Sequence, residues 1–173
     1  MNRTQPGTYI LLPASPLFIA FSFLVAFLLN LQPWGRIIGM PDFVALCLVF
    51  WGIHQPRRVG MGTAFCMGLL MDVNNAVLLG ENALAYVLLS YFVITIHRRV
   101  LWFPVRKQAL HVLPLLLISQ LIQMFVQFVV NDRFTGWFYL LDSFVAAVLW
   151  PVVTVILLAP QRRAADKDPD RPL

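Results

Sequence analysis

The sequence predicts an all-α, polytopic membrane protein of about six transmembrane helices, with both termini in the cytoplasm. Three observations predict it. Of the 173 residues, 60% are hydrophobic and only 12% are charged, whereas a soluble domain carries about twice that charged fraction. Apolar runs recur from residue 16 to residue 159 with short polar stretches between them, which leaves no room for a soluble domain. The basic residues fall in alternate gaps between those runs.

Six apolar segments are expected, at roughly 16–31, 37–53, 59–71, 83–96, 109–130 and 140–159. The first lacks a small-residue cleavage site and is followed by further membrane segments, so it reads as a retained span rather than a signal peptide. The second and third carry the two cysteines, Cys47 and Cys66, which in apolar runs behave as small hydrophobes. A disulfide framework or a zinc site would need more ligands at closer spacing. The third segment extends only about 20 Å as a helix, against the roughly 30 Å of bilayer hydrocarbon. It is expected to dip into the membrane, to cross with little tilt, or to continue through residues 72–79 with its polar groups shielded. The fourth segment is short as well.

The fifth and sixth segments meet the spanning length. Gln120, Gln123 and Gln127 recur on the fifth at helical spacing, with Asn131 one turn on. One face of that helix therefore carries amides that donate and accept across to a neighbour. They read as interhelical glue, with a substrate pathway as the other reading. On the sixth, Asp142 and Ala146 lie four apart, as do Ser143 and Ala147, ahead of Trp150-Pro151. Pro151 has no amide to donate to Ala147, so a kink is expected. Trp34, Trp102, Trp137 and Tyr139, near segment ends, suit anchoring in the headgroup layer.

Charge sets the expected orientation, because lysines and arginines of short loops stay in the cytoplasm. Six spans with the N-terminus inside place there Arg3, then Arg57 and Arg58 of HQPRR. Arg98, Arg99, Arg106 and Lys107 of HRRVLWFPVRK join them, with Arg162, Arg163, Lys167 and Arg171 of the tail. Of the 13 basic residues, only Arg36 and Arg133 are left for the outer loops. The net charge of +5 therefore reads as a membrane orientation signal and not as a nucleic-acid footprint. Residues 1–160 form a single transmembrane helical domain in this reading, and 161–173 a charged, disordered cytoplasmic tail.

One short stretch, RRVGMGTAFCMGLLMD, places a carboxylate at the far end of a run of apolar and small residues. Positions four apart share a helix face, and from Gly60 these are Ala64, Gly68 and Asp72. Small residues let two helix backbones approach closely in lipid, so this stripe reads as a packing or partner interface. Gly80 is grouped with it. Asp72 has two readings: a cap for the turn and helix that follow, or an internal anchor contacting another helix or a partner. As an anchor it is expected to act through hydrogen bonding, so that asparagine would replace it.

Catalytic constellations are missing from the pattern. His54, His97 and His111 are dispersed, no H-E-x-x-H or close carboxylate pair occurs, and serine-nucleophile and phosphate-loop motifs are absent. Asp72, Glu81, Asp132 and Asp142 could converge near the outer face, but no enzyme and no cofactor is expected.

The run HQPRRVGMGTAFCMGLLMDVNNAVLLGENALAYVLLSY resembles the signature region of the MreD family of bacterial rod shape-determining membrane proteins. Carrying the resemblance are Arg58-Val59-Gly60, Phe65, Gly68, Asp72, Leu79-Gly80 and Ala83-Leu84, with Pro41 and Leu149-Trp150-Pro151. Asn74-Asn75 stands where many relatives have a glycine after the aspartate; asparagine tolerates left-handed backbone angles, so the turn is expected to survive. The resemblance implies a non-enzymatic scaffold of the cell-elongation complex in the bacterial inner membrane. Its implied partners are MreC and, indirectly, MreB, RodA and its transpeptidase partner, besides membrane lipid. It also implies a fold similar to the substrate-binding components of energy-coupling vitamin transporters. That likeness supplies the alternative function, binding of a small vitamin-like molecule. A thin set of outer-face residues (Glu81, Asn82, Trp137, Tyr139) is what this alternative has to rest on.

Overall fold

The computed structural model describes residues 10–11, 15–32, 40–131 and 136–163. Arg3, Trp34, Arg36, Asp132, Arg133 and the tail from residue 164 lie outside them, as do the side chains of Arg106, Asn131 and Trp137. The described chain forms six α-helices: α1 (Pro16–Leu31), α2 (Phe43–His54), α3 (Met61–Asn75), α4 (Glu81–Leu101), α5 (Val105–Asn131) and α6 (Leu141–Leu158). A 3-10 turn, Trp137–Leu140, leads into α6. Two short strands, β1 (Ile10–Leu11) and β2 (Arg162–Arg163), pair antiparallel. The second strand falls within the stretch that composition reads as tail.

Three stretches are long and apolar enough to cross a membrane: Glu81–Leu101, Lys107–Val130 and Leu141–Gln161. The helices α1 and α2 are shorter and also apolar. The molecule is a helical membrane protein, as the composition predicts.

Local chemistry sets the helix starts. Ser15 Oγ accepts the Phe18 amide at 3.2 Å, and Pro16 occupies the first helical position, where its missing N–H costs nothing. Asp42 caps α2, its Oδ1 accepting the Val44 and Ala45 amides at 3.0 Å. This cap cuts short the segment expected over 37–53: residues 40–42 are not helical, and 37–39 lie outside the described residues. The resulting helix is only about 18 Å long. It sits at the centre, with every residue from Val44 to Ile53 buried, because a helix that is apolar all round must be covered all round. Around it stand α1, α4 and α6; α5 packs on both α4 and α6, and α3 packs on α4. Trp51, fully buried, donates its indole N–H to Ser22 Oγ at 2.8 Å and packs edge-on against Phe18 and Phe50.

The third segment is one continuous helix ending at Asn75; of the three readings open for it, the continuation through residues 72–79 is realised only as far as Asn75. Ala76 ends it with a left-handed backbone (φ 50°), while Asn74 and Asn75 remain helical. The left-handed residue is therefore an alanine, not one of the asparagines. The fourth segment is longer than the apolar run suggests, reaching 21 residues from Glu81 to Leu101. Both α5 and α6 stay helical through their internal prolines, Pro114 and Pro151.

Candidate functional site

Polar side chains gather at one end of the bundle, where α1, α3 and α5 finish and α2, α4 and α6 begin. Asn30 near the end of α1 donates to Asp42 Oδ1 at 2.8 Å and accepts the Phe43 amide at 3.1 Å. Tyr86 of α4, fully buried, donates its hydroxyl to the other oxygen of Asp42. Gln123 of α5 donates to Asn82 Oδ1 at 3.0 Å and accepts from the Tyr139 hydroxyl at 2.7 Å. One turn away, Gln127 donates to Glu81 Oε1 at 2.6 Å, and Ser143 of α6 donates to Gln120 at 2.5 Å. Helix-to-helix hydrogen bonds thus link α1 to α2, α2 to α4, α4 to α5, and α5 to α6. In lipid the chief competitor for each such group is an unsatisfied polar atom, so these bonds fix the helices' relative positions.

Asp72 belongs to the same end and is fully buried. Its Oδ2 accepts the Gly80 amide and its Oδ1 the Asn82 amide, both at 2.7 Å. Gly80, the residue before α4, has a left-handed backbone (φ 108°). It has no side chain with which to cap its own helix. The carboxylate that caps α4 is supplied instead by α3, at the end whose unpaired amides favour negative charge. Both readings of Asp72 therefore describe one geometry: it caps the following helix, and it is internal.

The small-residue stripe splits in two. At Gly68 an added Cβ would lie 2.3 Å from the Ala83 Cα and 2.6 Å from its nitrogen, so the two backbones touch there. Ala64, one turn earlier, is fully buried. Gly60 stands apart: it is the N-cap of α3, and a Cβ on it would meet nothing within 4 Å. Gly80 likewise has open space around it, and its part is backbone conformation, not packing.

Arg57 and Arg58, in the turn between α2 and α3, and Arg98 and Arg99, in the last turn of α4, are exposed at the opposite end of the bundle. There the α4 pair also complements the negative end of the helix dipole. Trp102 is fully outside, but Tyr139 is half-buried and turned inward onto Gln123, so it knits helices together instead of anchoring in headgroups. Asp142 lies in the first turn of α6, on the wall of a cavity of about 440 Å³ that opens among these polar residues.

Sequence reasoning overlooked Asn30, Asp42 and Tyr86. A signal was available for Asp42, which precedes an apolar run as helix-capping residues do. None was available for Asn30 and Tyr86, because which helices neighbour one another is not written in spacing. Among the described residues no three His, Cys, Asp or Glu side chains are grouped to hold a metal ion. What this end does chemically is exchange hydrogen bonds between helices.

Residues 14–159, which include all six helices, match the protein family described as rod shape-determining protein MreD. The chain is 30% identical over 148 residues to the Rod shape-determining protein MreD of Haemophilus influenzae, a match covering 82% of this chain and 88% of that one. No solved structure matches it.

Proposed function

The chain belongs to the MreD family of rod shape-determining proteins, and from that premise we propose that it is a non-enzymatic scaffold of the cell-elongation complex. In this reading it crosses the bacterial inner membrane six times, keeps both termini in the cytoplasm, and binds MreC. Through MreC it is coupled to MreB, to RodA and its transpeptidase partner, and so to lateral-wall peptidoglycan synthesis. The observation that carries the reading is how the polar side chains are spent. Asp42, Asp72, Glu81, Asn82 and the glutamines of α5 bond to backbone amides and to one another across helix interfaces, which suits a rigid framework.

The test is replacement of the native gene in its own host by a tagged copy. Depleting the protein should turn rods into spheres, and the tagged copy should restore rods and bring MreC with it out of gently solubilised membranes. Rods that persist after depletion would contradict the shape role. Recovery of the tagged chain without MreC would contradict the partner.

A further inference from the structure

Beyond scaffolding, we propose that the groove between α1 and α3 seats one acyl chain of an anionic phospholipid, whose headgroup phosphate rests on Arg57. The groove has a volume of about 450 Å³. Phe23, Leu24 and Phe27 of α1 form one wall, and Gly62, Cys66 and Leu70 of α3 form the other. The two helices run in the same sense, but α1 packs chiefly on α2 and α3 on α4, which leaves the space between them open. At Gly62 a Cβ would meet nothing within 4 Å.

The lining selects hydrocarbon. Among the described residues Thr63 carries the one hydroxyl on these walls, and it is spent on the Gly60 carbonyl at 2.7 Å. Cys66 has a free thiol, which behaves as a small hydrophobe. A polar ligand would leave its own groups unpaired here, whereas methylenes lose nothing. Length then separates a lipid chain from a partner helix. The α3 wall from Gly62 to Leu70 extends about 12 Å, and the α1 wall from Ala20 to Phe27 about 10 Å. One leaflet offers roughly 15 Å of hydrocarbon, half of the bilayer's roughly 30 Å. The groove therefore matches a chain from a single leaflet. A spanning helix, from a second copy or from another protein, would find walls along less than half its length.

Charge fixes the headgroup. The groove's mouth lies at the first turn of α3, directly after the turn that carries Arg57. Arg57 is exposed, and its guanidinium has no partner among the described residues. The carboxylates of the described residues, Asp42, Asp72, Glu81 and Asp142, all belong to the other end of the bundle. The acidic residues of the tail lie outside the described residues. A guanidinium pairs with a phosphate through parallel hydrogen bonds. Phosphatidylglycerol keeps that phosphate's charge, whereas the ammonium of phosphatidylethanolamine cancels it, so the first is the preferred occupant.

The test uses the full chain in detergent micelles with equal amounts of phosphatidylglycerol and phosphatidylethanolamine of identical acyl chains. Native mass spectrometry counts the lipids each chain retains. One phosphatidylglycerol per chain is expected, held about fivefold over phosphatidylethanolamine, as one arginine at a membrane surface provides. Arg57→Gln should abolish that preference, whereas Arg99→Gln, at the same end but on α4, should keep it. Gly62→Leu combined with Cys66→Leu fills the groove and should release both lipids. That variant should melt no lower than the wild type, because Gly62 faces open space and Cys66 is exposed. No retained lipid, or no preference for phosphatidylglycerol (as would follow if the acidic tail screened Arg57), overturns the proposal. Equal loss of preference in both arginine variants overturns it too, since the attraction would then be diffuse. So does unchanged retention in the filled groove; loss of MreC alongside would assign the groove to a partner's helix.

Discussion

At the scale of single residues, Asp72 shows how a short list of hydrogen bonds overrules a plausible substitution. Asparagine matches aspartate in size, and the sequence alone suggests that it would serve. The structure gives each carboxylate oxygen its own backbone amide, Gly80 on one and Asn82 on the other, at 2.7 Å. Asparagine has one oxygen, and its NH₂ would face an amide donor. Asp72→Asn should therefore destabilise the protein by about 1–3 kcal/mol, and Asp72→Leu, which leaves both amides unpaired, by roughly twice that. Melting curves in detergent, followed by size-exclusion fluorescence, would show the order wild type, Asn, Leu. Coincident curves for Asn and wild type would mean that one acceptor is enough. Ala76 carries a different cost, since a left-handed alanine is disfavoured by roughly 1–2 kcal/mol, and the hairpin that Asp72 closes holds it in place.

Among the secondary-structure elements, α3 and α4 bring their backbones together at Gly68 and Ala83. Two glycines of α3 make opposite predictions. A methyl group at Gly68 would collide with the backbone at Ala83, whereas at Gly62 it meets nothing within 4 Å. Gly68→Ala should cost about 1–3 kcal/mol through overpacking, while Gly62→Ala should be neutral or stabilising by up to about 1 kcal/mol, through helix propensity. Equal melting temperatures for the two variants would remove Gly68 from the interface. Much of this element was readable beforehand, because Ala64, Gly68 and Asp72 recur at helical spacing. Gly60 fits the same arithmetic yet lies one residue before the helix, which the period alone does not reveal. The partner surface, Ala83, was not legible as such, since spacing within one helix says nothing of which neighbour it meets. The apolar runs located all six helices, but α2 and α4 differ in length from their runs. A capping aspartate starts α2 late, and α4 continues into charged residues at Arg98 and Arg99 that its apolar stretch excludes.

For the whole molecule, charge and polarity separate along the bundle axis. Exposed arginines occupy one end, and the amides and carboxylates that lock the helices occupy the other. The positive-inside tendency predicts an orientation with Arg57 in the cytoplasm and Asn75 outside. Single cysteines at Arg57 and Asn75, in a background lacking the two free thiols Cys47 and Cys66, would report this on intact spheroplasts. An impermeant maleimide should label the Asn75 position and spare the Arg57 position; the reverse pattern would invert the molecule.

The ribbon between Ile10–Leu11 and Arg162–Arg163 has a consequence for biogenesis. Its first strand leaves the ribosome before any helix has been made, and its second strand is made only after α6. Nearly the whole chain must be synthesised and inserted before the two can meet. During that interval the first strand waits with its backbone groups unpaired. The ribbon is therefore among the last contacts to form in a newborn chain, and its closure marks a bundle in which every helix has already been delivered.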